Sequence, residues 1–208
     1  MAREHGWWLH VDGAYGGAGL AAPSVAPLFA GVEHADTFIV DPHKWLFAPF
    51  DSCALIYRDP ALGRAAHTQH ASYLDPVNVA GEWNPSDFAI QLTRRARGLP
   101  FWFSLAVHGT AAYSAALEQT LRVTRAGAEL IRGADHLRLL VEPDLSVLVF
   151  ERVGWDAADY DRWSARLLAE QVGFVTPTKH AGQVCARFAI VNPLTSEDDL
   201  GLIIDSMR

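Results

Sequence analysis

Asp36-Thr37-Phe38-Ile39-Val40-Asp41-Pro42-His43-Lys44-Trp45 is a strand-forming run that ends at a proline and then sets a lysine between a histidine and a tryptophan. β-Branched and aromatic residues suit a pleated, half-buried surface, so Phe38 to Val40 reads as a strand. Pro42 fixes the turn, and His43 and Lys44 leave the strand in one defined direction. Ammonium groups are rarely buried unless paired or put to use. Among His43, Trp45, Leu46 and Phe47, Lys44 is expected to be partly desolvated, which favours a neutral amine that can attack carbonyls. That is the chemistry of a Schiff-base lysine. On these ten residues alone, a solvated lysine at a strand end is the competing reading.

A second stretch bears on the choice. Trp7-Trp8-Leu9-His10-Val11-Asp12-Gly13-Ala14-Tyr15-Gly16-Gly17 reads as a strand that ends in an aspartate and breaks into glycines, 32 positions before Lys44. Apart from His10, Trp7 to Val11 is apolar on both faces, as expected of a parallel strand covered on both sides. Asp12 at its C-terminal end stands where open α/β sheets place their ligands; a turn-former before Gly13 is the alternative. Only six residues precede this strand, so the chain is expected to start in the middle of a domain.

Together, His-Val-Asp-Gly-Ala-Tyr-Gly-Gly and Asp-Pro-His-Lys-Trp-Leu resemble the pyridoxal-phosphate-dependent group II amino acid decarboxylases, which act on aromatic amino acids, glutamate, histidine or diaminobutyrate. The resemblance runs from about residue 6 to the end, but covers only the later part of the usual family chain. It implies an α/β chain of fold type I, with residues 1–100 the latter part of the cofactor-binding large domain. Residues 101–208 are then a small C-terminal α/β domain with leading helices. It implies pyridoxal 5′-phosphate as cofactor, an amino acid substrate and a homodimer with its site at the subunit interface. It also assigns residues. Asp12 pairs with the pyridine nitrogen, Ala14 lies under the ring, Lys44 carries the cofactor, and His43 lies close to the phosphate or the Schiff base. Tyr73, in Ala71-Ser72-Tyr73-Leu74, matches a loop tyrosine that returns a proton to the substrate after carbon dioxide leaves. Arg94 and Arg95 match a basic pair in position, with a plain salt bridge as the simpler role. Asp41 departs from relatives that carry asparagine or serine there to bond the phosphate. A carboxylate facing a phosphate is repulsive, so Asp41 is expected to point elsewhere or to bond a backbone N–H. The ring-stacking histidine and the phosphate cradle are expected upstream of this sequence, which makes a truncated decarboxylase the leading reading.

Composition fits. Seventeen basic residues against 24 acidic ones give a net charge of −7 with no basic run, which argues against nucleic acid or an anionic membrane as the main partner. Cys53 and Cys185 make no disulfide framework, and a reducing cytoplasm is expected. No stretch approaches the roughly 20 apolar residues of a membrane span.

Along the chain, Pro23 and Pro27 limit any helix before Ser24 to Phe29. Ala54 to Tyr57 pairs with Phe38 to Val40 as a hairpin. Arg58 to Pro85 reads as irregular, in the manner of a lid or binding loop. Helical spacing begins at Pro100, with one helix to about Leu121 and a second to Ile131. A polar turn after Gly133 leads to a strand at Ser146 to Phe150, a helix opened by Asp159, a strand at Cys185 to Val191 and a last helix capped by Ser196 and Asp199.

Three rival readings follow from other features. Gly17-x-Gly19-x-x-Ala22 fits the dinucleotide pattern on paper, but Pro27 would fall inside the required helix. His67 and His70 form an H-x-x-H pair without the glutamate of a zincin, so no metal site is expected. A catalytically dead remnant acting only by dimerisation is the third.

Overall fold

The computed structural model describes residues 1–69 and 84–208. They form two compact units. One comprises residues 1–18 and 29–107, the other residues 19–28 and 108–208.

The first unit is built on three short strands in the order β1 (His10–Asp12), β2 (Thr37–Val40), β3 (Ala54–Tyr57). β1 runs parallel to β2, with Val11 opposite Phe38, and β3 returns antiparallel, with Val40 opposite Ala54. The expected hairpin is therefore present. The expected burial of the first strand is not. The strand begins at His10 rather than Trp7, its outer residues are exposed, and Trp7 and Trp8 are 62% and 53% exposed. Among the described residues β1 is an edge strand paired only with β2, and the His5 ring stacked on Trp7 at 4.7 Å still leaves both indoles largely in water. Trp8 instead uses its polar end, donating Nε1–H to Thr37 Oγ1 at 3.0 Å, as amphipathic indoles do at a wet surface.

The segment expected to be irregular contains α1 (Pro60–His67). Pro60 starts this helix rather than breaking it, because the first turn has no use for its missing N–H. Asp59 caps it, accepting from the Ala61 N–H at 3.0 Å. Arg64 on α1 holds the buried Asp87 at 2.9 Å.

α2 (Gly98–Arg132) is one helical run with a break at Gly109, whose φ of 77° and ψ of 159° suit only glycine. The expected break near residue 121 is absent, since Leu117, Leu121, Thr124, Ala128 and Ile131 continue one buried stripe across it. In the second unit this stripe is part of the core. The sheet there has the order β4 (Leu137–Val141), β5 (Val147–Arg152), β7 (Gln183–Ala189), β6 (Thr178–His180), all antiparallel. α3 (Ala157–Ala169) and α4 (Glu197–Asp205) complete the unit. Leu148, Phe150, Tyr160, Leu167, Ala186 and Met207 are fully enclosed, and Phe150 meets Phe188 edge to face at 4.8 Å. Burying side chains of this size stabilises by about 1.5–3 kcal/mol each. Gly127 lets α2 approach, because a Cβ there would stand 2.7 Å from Leu200 and 2.8 Å from Leu148. β4 and β6 were not foreseen. α3 is opened by Asp156 rather than Asp159; the two form a reciprocal cap in which Asp159 is the third helical residue.

Candidate active site

Asp12 and Lys44 follow neighbouring parallel strands, so both emerge at the same edge of the small sheet. The loops that carry them are tied together by the Asp41 N–H, which donates to the Ala14 carbonyl at 3.0 Å. On the first loop, Asp12 Oδ1 accepts the Ala14 N–H at 3.0 Å, which fixes the carboxylate and the alanine relative to each other. Gly13 and Gly17 are required beneath, because a Cβ at either would come within 2.7 Å of the Phe38 ring. Tyr15 stacks on the fully buried Trp45 at 5.4 Å.

On the second loop, the Lys44 N–H closes a turn onto the Asp41 carbonyl at 2.9 Å, and the Ala48 N–H closes a wider one onto the Pro42 carbonyl at 3.0 Å. Phe47 adopts a φ of 59°, a conformation bulky residues rarely take. Lys44 is not the desolvated amine expected from its apolar neighbours. Its side chain is 41% exposed, and its Nζ lies 2.8 Å from Asp41 Oδ2. Trp45 turns into the core in its place. Asp41 thus points at Lys44 rather than at a backbone N–H. Partial burial by itself raises the Asp41 carboxyl, but hydrogen bonds from Lys44 and from the Cys53 thiol outweigh it and hold the group below the usual carboxylate range. Burial and the same carboxylate push the Cys53 thiol up.

His43 Nδ1 faces the Ser52 main chain, accepting its N–H at 3.1 Å in one tautomer and donating to its carbonyl in the other. Its ring meets Phe50 edge on at 5.0 Å. Asp41, His43 and Cys53 also line an open cleft of about 1070 Å³ together with Arg94, Arg95 and Arg97. Arg95 and Arg97 both pair with Asp51, and Arg94 donates to the Pro85 carbonyl at 2.6 Å. Tyr73 and His70 lie outside the described residues. His67 Nε2 stands 3.5 Å from the Tyr57 hydroxyl. Gly17 and Gly19 fall in a six-residue 3₁₀ turn, Gly16–Ala21, not at the start of the α-helix that a dinucleotide pyrophosphate needs.

The family model described as pyridoxal-dependent decarboxylase conserved domain matches residues 1–153. The chain belongs to this family. The aromatic-L-amino-acid decarboxylase of Bacillus atrophaeus is 28% identical over 96% of the chain and 44% of its own length. The L-2,4-diaminobutyrate decarboxylase of Rhizobium meliloti is 30% identical over the whole chain and 43% of its own length. The structure of Oryza sativa TDC with PLP and tryptamine superposes with a TM-score of 0.88 at 24% identity, over 99% of this chain and 45% of that one. The chain therefore spans less than half the length of these relatives, and its fold is that of fold type I pyridoxal-dependent decarboxylases.

Pyridoxal 5′-phosphate is the cofactor of the pyridoxal-dependent decarboxylases, and the donor set at this edge fits it. Asp12 offers a carboxylate to a ring nitrogen, Ala14 offers a side chain small enough for a ring to approach, and Lys44 offers an accessible primary amine. Cys53 and Ser52 belong to this constellation and were not anticipated. Their signal lay in the hairpin register, which, continued one pair beyond Val40 and Ala54, sets Asp41 opposite Cys53.

Proposed function

We propose that this chain is the lysine-bearing part of an enzyme that removes the carboxyl group of an L-amino acid as carbon dioxide and leaves the amine, using pyridoxal 5′-phosphate. The observation that supports this most is the joining of the Asp12 and Lys44 loops through the Asp41 N–H and the Ala14 carbonyl at 3.0 Å. When bound, the cofactor supplies an electron sink for the charge left on the substrate Cα as carbon dioxide departs.

The remaining work falls to the protein. Asp12 holds the ring nitrogen, with its own orientation set by the Ala14 N–H. Lys44 anchors the cofactor covalently, and His43, fixed through Ser52, lies beside it. Tyr73 delivers the proton that replaces the lost carboxyl group, a task within reach of a phenol in a closed site. A homodimer in the cytoplasm, with the site between subunits, belongs to the same proposal on the strength of the family resemblance.

Lys44 and Lys179 are the two lysines of the chain, which makes the test simple. The chain is incubated with pyridoxal phosphate, reduced with borohydride and mapped by peptide mass. Label on Lys44 is the expected result, and label on Lys179 alone overturns the reading. Carbon dioxide and amine are then assayed with aromatic, acidic and basic L-amino acids. In a protein that turns one over, Tyr73→Phe should retain label on Lys44 and lose about 10²–10⁴ in amine formation.

A further inference from the structure

We propose that Asp41 is a positioning residue for Lys44, holding its Nζ docked as an ion pair and restraining it from carbonyl compounds until a ligand displaces the pair. This rests on the reading of Lys44 as the amine that carries the cofactor.

The pair is fixed from several sides. Asp41 Oδ2 and Lys44 Nζ are 2.8 Å apart, with the Asp41 side chain 13% exposed. The two residues are joined across a rigid turn, in which Pro42 limits the backbone and the Lys44 N–H reaches the Asp41 carbonyl at 2.9 Å. Asp41 is anchored in turn by the Ala14 carbonyl, and the Cys53 thiol acts on the same carboxylate. The titratable groups acting on Asp41 are Lys44, Cys53 and His43. A carboxylate held below its ordinary range stays ionised and keeps its charge available to the pair.

Capture of a carbonyl by Lys44 requires the ammonium to lose one proton to solvent. The freed lone pair then adds to the carbonyl carbon, the C–N bond forms, and the carbonyl oxygen leaves as water with the two protons remaining on nitrogen. Each of these steps needs Nζ to leave Asp41. The Lys44 side chain is 41% exposed, so salt weakens the pair and an isosteric amide abolishes its charge.

The test uses the 208-residue chain and a small neutral electrophile. Substoichiometric acetic anhydride is applied to the parent, Asp41→Asn and Asp41→Glu at low and high salt, and acetylation of Lys44 is read by mass spectrometry against Lys179. Asp41→Asn should raise the Lys44 to Lys179 ratio about two- to fivefold at low salt, the worth of a partly exposed ion pair. The parent ratio should climb with salt while the Asn ratio stays flat, and Asp41→Glu should retain a low ratio. Equal ratios in the parent and Asp41→Asn overturn the proposal. Should circular dichroism show Asp41→Asn unfolded, the parent salt series decides alone, and a flat parent ratio overturns it. A parallel arm with pyridoxal phosphate and borohydride separates the two readings. No label on Lys44 in any variant, with acetylation still governed by Asp41, removes the cofactor reading of Lys44 and keeps the docked pair.

Discussion

Asp41 and Ala14 are joined main chain to main chain, N–H to carbonyl at 3.0 Å, so the loop that presents Asp12 cannot shift without moving the turn that presents Lys44. Ala14 is half-buried, and its main chain touches both loops, the N–H on Asp12 and the carbonyl on Asp41. The main-chain link does not depend on the alanine side chain, so Ala14→Val should keep the fold. Added methyl groups would crowd a ring lying there, and overpacking typically costs about 1–3 kcal/mol, or about 5- to 160-fold in binding. Borohydride trapping of pyridoxal phosphate on Lys44 should fall by that factor, while acetylation of Lys44 stays at the parent level. A parallel loss in both reactions would mean that the loop had moved, and the role of Ala14 would be structural.

The Phe38 ring is the floor of the glycine loop, and it separates two substitutions that look alike in the sequence. The nearest contacts of a Cβ at Gly17 would all be with the ring, from 2.6 Å, whereas one at Gly13 would also meet the Ile39 carbonyl at 2.8 Å. Both Gly17→Ala and Gly13→Ala should destabilise by about 1–3 kcal/mol. Adding Phe38→Leu should recover part of the loss at Gly17 and little of it at Gly13, because the Ile39 carbonyl remains. Urea midpoints at constant slope measure both. Equal rescue at the two positions would show that the backbone clash is not the controlling contact.

Much of the site was legible because short-range signals carried it. Asp12 before glycines and Lys44 after Pro42 are set by strand ends and turn chemistry, and the hairpin follows from two apolar runs with a short connection. What failed depended on partners that a linear reading does not see. Trp7 to Leu9 is apolar, yet an edge strand paired on one side leaves the indoles in water. Lys44 sits among apolar letters, yet Trp45 takes the buried place and Lys44 finds the carboxylate three positions back. Pro60 reads as a breaker until Asp59 is seen to cap the helix it begins. β4 and β6 were missed because Arg138 and Lys179 interrupt short segments whose strand state is set by pairing to β5 and β7.

The last helix offers a test of electrostatics away from the site. Ser196 and Asp199 cap α4 reciprocally. The Asp199 N–H reaches the Ser196 hydroxyl at 3.2 Å, and the Asp199 carboxylate accepts the Ser196 N–H and hydroxyl, each at 2.8 Å. Ser196→Ala should cost about 1 kcal/mol. The Ser196 N–H, and then its hydroxyl, hold the Asp199 carboxyl below its ordinary value of 3.8. A carboxyl lowered on folding binds its proton more readily in the unfolded chain, so its stabilisation is complete above pH 3.8 and disappears as pH falls through the lower folded value. Asp199→Asn should therefore melt below the parent at neutral pH, and the gap should close as the solution is acidified past the ordinary carboxylate range. In the Ser196→Ala background the same gap should be smaller but not zero, since the main-chain donor remains. Melting curves of the four proteins across that pH range measure this. A gap that stays constant on acidification would assign the effect of Asp199 to something other than its charge.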